Sequence, residues 1–314
     1  MFSRRDLGKA VLGSLPMAAG AAKKIDSVVR GVQFGLQSYI FTGIGLPHET
    51  LVDTIIQSMV DAGLGECDLY APVVEPAEFW DRIHSGPSGA GAMVPPEVVA
   101  TRARASEDLA AWRKTASMDH FRAVRKKFED AGIEIHGTSG FSGSTEEELR
   151  YTFDVASALG ARLVTLQVGM AAAKRMVPVA EKSGFVIGIQ GHPDMHSTDP
   201  DSISRPEEYD RALTLSDRYG LSFDIGDAAG SGYDSVVRFV ESRLDRIALI
   251  YLKDRRRDHL SVPWGQGDTP IGEVLRLVRD RKPSIRCYID CDHKTSDRPA
   301  DVKRSFEFAK AALA

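Results

Sequence analysis

The chain has 314 residues, of which 43% are hydrophobic and 27% charged, with a formal net charge of -4. These proportions describe a globular protein with an ample core, and the acidic balance offers no electrostatic footprint for nucleic acid or anionic lipid. The three cysteines, Cys67, Cys287 and Cys291, have neither zinc-site spacing nor the look of a disulfide framework, and no internal run is long and apolar enough to span a membrane.

Residues 1–22 read differently from the rest. Arg4 and Arg5 are followed by a modest apolar run from Ala10 to Ala22, with small residues at its end. The segment resembles a twin-arginine export signal, which implies a periplasmic or otherwise exported protein with a mature chain starting near Ala22 or Lys23. If the segment is not cleaved, a cytoplasmic location follows instead.

Thereafter short apolar runs alternate with amphipathic ones. Strands are predicted at Val32–Phe41, Gly65–Pro72, Ile133–Ser139, Arg162–Gly169, Phe185–Pro193, Leu221–Ile225, Arg246–Asp254 and Arg286–Asp292. Helices are predicted at Pro47–Ala62, Ala105–Ala131 (one helix or a pair), Ser144–Gly160, Met170–Lys182, Arg205–Tyr219, Tyr233–Leu244, Ile271–Arg281 and Pro299–Leu313. Ser144 with Glu147 reads as a capping box, and Asp268 or Thr269 as the cap of the helix from Ile271. Between the second strand and its helix, GPSGAGAMVPP marks a long loop of the kind that often serves function.

Eight βα units over residues 31–314, with strands apolar enough to be buried on both faces, predict an α/β fold of one domain, a (β/α)8 TIM barrel of roughly 250 residues plus insertions. A doubly wound open sheet is the alternative, weakened by the absence of a Gly-rich turn after the first strand.

In a barrel the C-terminal strand ends form one ring. Here that ring carries Gln37 and Tyr39, Glu66 and Asp68, His136, Gln167, Gln190 and His192, Asp224 and Asp227, Tyr251, Lys253 and Asp254, then Asp290, Asp292 and His293. Carboxylates converging on one mouth need a cation, a proton or a basic partner to coexist. A divalent ion bound by oxygen and imidazole ligands is one solution.

Residues 62–69 (AGLGECDL), GIQGHP, FDIGDAAG, YLKDRRRD with PWGQGDTPI, and YIDCD before the last helix together resemble the xylose-isomerase-like barrel superfamily, the sugar phosphate isomerase/epimerases. The resemblance runs from Val32 to Leu313. It implies one divalent metal (Mn, Mg, Co or Zn) held by a Glu or His on strand five, an Asp on strand six, a His on strand seven and a Glu on strand eight. The matching positions here are Gln190, Asp224, Tyr251 and Asp290. Only Asp224 keeps the family residue, and His192, Asp227 and His293 lie near enough in sequence to substitute.

The resemblance also implies a small-molecule carbohydrate substrate and a proton moved next to a carbonyl, with His192, Asp290 and Lys253 as the catalytic candidates. Glu66, His136, Asp227, Asp254, Trp264 and His293 are the candidate substrate contacts. Each has a plainer reading: a barrel carboxylate for Glu66, a core histidine for His136, an ion pair for Lys253 and Asp254, a loop anchor for Trp264. Arg255–Arg257 reads mainly as a solvated charge run. Sugar or keto-sugar isomerisation or epimerisation is the first expectation. A hydro-lyase acting on a 3-keto-glycoside, or a non-catalytic sugar-binding barrel with a decayed metal site, is the alternative. An endonuclease of the same barrel type would need several His-rich zinc sites and a basic DNA face, and eight histidines in a net acidic chain argue against it. Homo-oligomerisation is left open.

Overall fold

The computed structural model describes residues 23–87, 93–143 and 145–314. The expected export signal at residues 1–22 and the expected cap Ser144 lie outside the described residues.

Eight parallel strands follow one another around a closed sheet: β1 (Val32–Gln37), β2 (Glu66–Tyr70), β3 (Glu134–Ser139), β4 (Leu163–Gln167), β5 (Val186–Gln190), β6 (Tyr219–Asp224), β7 (Ile247–Leu252) and β8 (Arg286–Ile289). Pairing of β1 with β8, Phe34 beside Cys287 and Leu36 beside Ile289, closes the ring. This is the (β/α)8 barrel expected from the alternating pattern. A two-residue strand, Val28–Val29, adds an antiparallel lead-in to β1. Its turn puts Arg30 and Gly31 at positive φ, the two-residue geometry that suits twisted hairpins.

Side chains alternate along each strand with a period of two. Outward residues such as Cys67, Leu69, Ile250, Leu252, Cys287 and Ile289 join the main core beneath the helices. Inward residues Leu163, Leu249, Tyr251 and Tyr288 form a separate small cluster inside the barrel. The same parity sends Lys253 inward two residues beyond Tyr251, and Asp290 and Asp292 beyond Tyr288.

The helices are α1 (His48–Ala62), α2 (Ala71–Val74), α3 (Ala77–Ile83), α4 (Pro96–Arg113), α5 (Met118–Asp130), α6 (Glu146–Leu159), α7 (Met170–Ser183), α8 (Pro206–Leu213), α9 (Ile225–Gly230), α10 (Val236–Glu241), α11 (Ile271–Arg281) and α12 (Arg298–Leu313). Several expected boundaries shift. β1 stops at Gln37, whose side chain accepts the Tyr39 N–H and starts a 3-10 turn over Ser38–Phe41. The expected long loop after β2 contains α2, α3 and the first turns of α4. The capping box of α6 is Thr145 with Glu148, one residue later than expected. α11 has Pro270 at its cap position. Thr269 Oγ1 instead accepts the Arg255 N–H and Asp268 accepts that of Arg257.

The segment from α2 to α4 is fastened by Glu75, whose side chain is fully buried. Arg113 donates to both of its oxygens at 2.8 Å, Tyr151 donates at 2.8 Å and Trp80 at 3.1 Å. A buried carboxylate is tolerable only when its charge and lone pairs are met in this way. The staple ties α4 and α6 to the loop leaving β2, and so fixes the rim of the mouth.

Candidate active site at the barrel mouth

The C-terminal ends of the strands open into a cavity of ≈ 1200 Å³, lined on its floor by Lys253, Asp290, Asp292 and Asp227 and on its walls by Gln37, Gln167, Gln190 and His192. Lys253 stands at the centre. Its Nζ lies 3.0 Å from Asp224 Oδ2, 3.2 Å from Asp292 Oδ2, 3.3 Å from Asp290 Oδ2 and 3.6 Å from Asp227 Oδ1. Arg255 completes the set, 3.0 Å from Asp227 and 3.5 Å from Asp292.

Local structure explains this convergence. Asp224 ends β6 and caps α9, accepting the N–H groups of Gly226 and Asp227 on Oδ1, both at 2.9 Å. Two such bonds at a helix start favour its ionised form. Gly226 is required because a Cβ there would lie 2.6 Å from the Lys253 carbonyl oxygen. That close approach brings α9, and with it Asp227, onto the end of β7.

Four carboxylates face two cations, so the cluster would carry surplus negative charge if all four were ionised. Asp290 has the weakest support. Among the described residues Lys253 is its one cationic partner, and its Oδ1, like that of Asp292, is buried with no hydrogen-bond partner. Burial pushes its carboxyl up to about 8, against the pull of Lys253. Burial and the neighbouring Asp227 raise Asp224 to about 6. Burial also opposes ionisation of Asp292, but Lys253, Ser261 and Arg255 outweigh it and leave that carboxyl below its usual range. Burial opposes the charge on Lys253 too, and the surrounding aspartates overcome it, holding the ammonium protonated well above its ordinary range.

The sequence-predicted residues divide into three groups. Gln190, Asp224, Asp227, Lys253 and Asp290 meet at the mouth, with His192 at its edge, mostly exposed and 4.0 Å from Asp227. Gln167 and Gln190 line the wall, and their side-chain amides make no hydrogen bond among the described residues. Tyr251, expected as a ligand, departs from that role. It is fully buried, its hydroxyl donates to Asp68 and lies 3.3 Å from Thr165, and it points into the barrel below the mouth.

The third group sits elsewhere. Glu66 and His136 lie toward the opposite, N-terminal end, where Glu66 accepts from Arg286 and Tyr288 and pairs with Lys24. Asp254 turns away from Lys253 and accepts the N–H groups of Gly265, Gly267 and Thr269, so it staples the PWGQGDT loop. Trp264 packs edge-on against Phe308 of α12, ring centroids 6.1 Å apart. His293 is buried 3.2 Å from Asp301 of the same helix. None of these five residues lines the mouth cavity, and Glu66 and Asp254 are spent on protein donors. Asp292 and Arg255 are the site residues that sequence reasoning undervalued. The i, i+2 spacing from Asp290 and from Lys253 was the available signal.

The donor set does not fit a divalent ion at the four expected positions. An ammonium already lies between Asp224 and Asp290, Tyr251 is turned to Asp68, and burial and Asp68 keep its phenol far above the range of an ionisable ligand. A second grouping, Glu66, Glu134 and His136, has ligand atoms within 4.8 Å of one another. Lys24, 2.7 Å from Glu134 and 3.2 Å from Glu66, already offsets that charge together with Arg286.

A family model for the xylose isomerase-like TIM barrel matches residues 97–312. The chain therefore belongs to the xylose isomerase-like TIM barrel family. No curated protein matches its sequence. Among solved structures, it is similar to a D-allulose 3-epimerase from Methylomonas sp. (11% identity over 93% of this chain and 99% of that one, TM-score 0.60). It is also similar to a xylose isomerase domain protein from Planctomyces limnophilus (14% identity, 89% and 96% covered, TM-score 0.59) and to a 3-keto-D-glucoside 4-epimerase from E. coli (10% identity, 89% and 99% covered, TM-score 0.57). At these identities the likeness is one of fold.

Proposed function

We propose that the protein is a sugar or keto-sugar isomerase or epimerase that moves a proton at the carbon next to a carbonyl. The observation that carries this reading is the pairing, on the floor of one mouth cavity, of a buried carboxyl that holds its proton near neutral pH with a buried ammonium. A proton carrier works best when its pKa lies near the operating pH. Family membership and neighbours named as acting on keto-sugars support the same class of substrate.

In this reading ionised Asp290 takes the proton from the carbon beside the carbonyl. The C–H electron pair becomes the double bond of an enediolate, and the carbonyl π pair moves onto oxygen. Delivery of a proton to the opposite face of the same carbon by a second donor gives the epimer, and return to the former carbonyl carbon, with the hydroxyl proton passing to the former carbonyl oxygen, gives the isomer. The amides of Gln167 and Gln190 on the cavity wall suit the hydroxyl groups of a sugar, each offering both a donor and an acceptor. His192, at the edge, suits a role at the entrance.

The test is incubation in D₂O with D-allulose, D-fructose, ribulose and 3-keto-glucosides, followed by NMR. Deuterium entering at the carbon beside the carbonyl supports the proposal. Loss of water from a 3-keto-glycoside would make the protein a hydro-lyase using the same first step. Binding of a sugar without exchange at any carbon would make it a sugar-binding barrel.

A further inference from the structure

The geometry points to Lys253 as the resident cation of this site: we propose that its ammonium occupies the centre where the aspartates would otherwise gather a divalent ion, and that it supplies the electrophile for the substrate carbonyl. The proposal rests on the proton-transfer reading above for the electrophile, but its cation part stands independently.

Three observations carry it. Nζ lies within 3.6 Å of oxygens from four aspartates contributed by β6, α9 and the end of β8. That is the convergence expected around a cation, at ion-pair distances rather than the roughly 2.0–2.6 Å of Mg²⁺ or Ca²⁺ ligation. Second, Lys253 and Asp290 are only 6% and 4% exposed, yet both line the cavity, so the charge is desolvated and still reachable by a ligand. Third, Oδ1 of Asp290 and Oδ1 of Asp292 are buried without a hydrogen-bond partner among the described residues, acceptors that the ammonium does not fully satisfy. A buried charge interacts more strongly than one in water, and a preorganised one needs no rearrangement when an oxyanion forms. The lysine stem follows β7 inward, so the cation is delivered by the strand itself and not by solution.

Removing the ammonium while keeping the stem should leave four close carboxylates uncompensated apart from Arg255, a strong demand for a cation. Lys253→Met should therefore gain one Mn²⁺ per chain, measured by calorimetry and Mn²⁺ electron paramagnetic resonance, where the wild type binds none at the mouth. The gain should vanish in Lys253→Met/Asp224→Asn. Glu134→Gln separates any Mn²⁺ held at the other end of the barrel, since it should leave the mouth signal intact. If Lys253→Met folds only when Mn²⁺ is present, thermal unfolding with and without the ion reads the same gain. Mn²⁺ bound by the wild type and lost on Asp224→Asn would overturn the proposal, as would a Lys253→Met variant, folded without the ion, that binds none.

The metal measurements need no substrate, so they can fail while the isomerase reading stands. If deuterium exchange is found, it should survive exhaustive chelation in the wild type and be lost in Lys253→Met. Exchange abolished by chelation and restored by Mn²⁺ would overturn the electrophile's assignment to Lys253.

Discussion

Replacing Asp290 with asparagine changes almost no volume and removes one negative charge and one titrating proton. Loss of a general acid–base group typically costs about 10²–10⁴ in rate, or roughly 3–5 kcal/mol of barrier. In the wild type, kcat/KM should rise with pH and level off above about 8, the range to which burial lifts this carboxyl. In Asp290→Asn that limb should disappear together with most of the activity. Stability should show the opposite pH trend. The folded-state value lies above the 3.8 of the free group, so the folded protein holds the proton more tightly than the unfolded chain. The stability this contributes is fully present below about pH 4 and is lost as pH rises through about 8. The variant has no such proton to lose. Its melting temperature relative to wild type should therefore increase between pH 5 and pH 9, while Lys253 keeps three carboxylate neighbours. An Asp290→Asn enzyme within a few-fold of wild-type rate, with the same alkaline limb, would refute Asp290 as the proton carrier and move the role to His192 or Asp224.

Glu75→Ala strips four donors of their buried acceptor and leaves Arg113 unpaired, so urea unfolding should report a loss of about 3–5 kcal/mol. Asp254→Ala should cost about 1–3 kcal/mol for the orphaned loop amides and expose the chain near Gly265 and Gly267 to proteolysis; unchanged protease resistance would count against the staple. N-terminal sequencing from the native host should find a mature chain starting near Ala22 or Lys23. Lys24 and Ile25 would then keep their seats against Glu66, Glu134 and Gly132, and an intact Met1 in a cytoplasmic fraction would remove the export reading.

The fold was legible because its signal is repeated and local. Buried strands alternate with amphipathic helices eight times, and no single boundary error disturbs the count. Boundaries failed where two local solutions compete. Ser144-Thr145-Glu146-Glu147-Glu148 contains two overlapping capping boxes, and the described structure uses the later one. Asp268 and Thr269 look like caps but satisfy the amides of Arg257 and Arg255 instead.

The site was legible only as a ring of candidates. Sequence order and strand parity put Asp224, Lys253, Asp290 and Asp292 at one end of the barrel, and composition marked that end as crowded with carboxylates. Which cation answers those carboxylates is decided by tertiary structure. Tyr251 and Lys253 share a strand face two residues apart, and only the closed barrel, with Asp68 across from Tyr251, turns one down into the interior and leaves the other among the aspartates. Likewise Asp254 beside Lys253 reads as its ion-pair partner until strand alternation sends it outward to the loop amides. The sequence by itself determined the architecture, because periodicity is a property of neighbours along the chain. The pairing of charges belongs to the tertiary structure, because the partners come from strands remote in sequence and are chosen by distance and by desolvation.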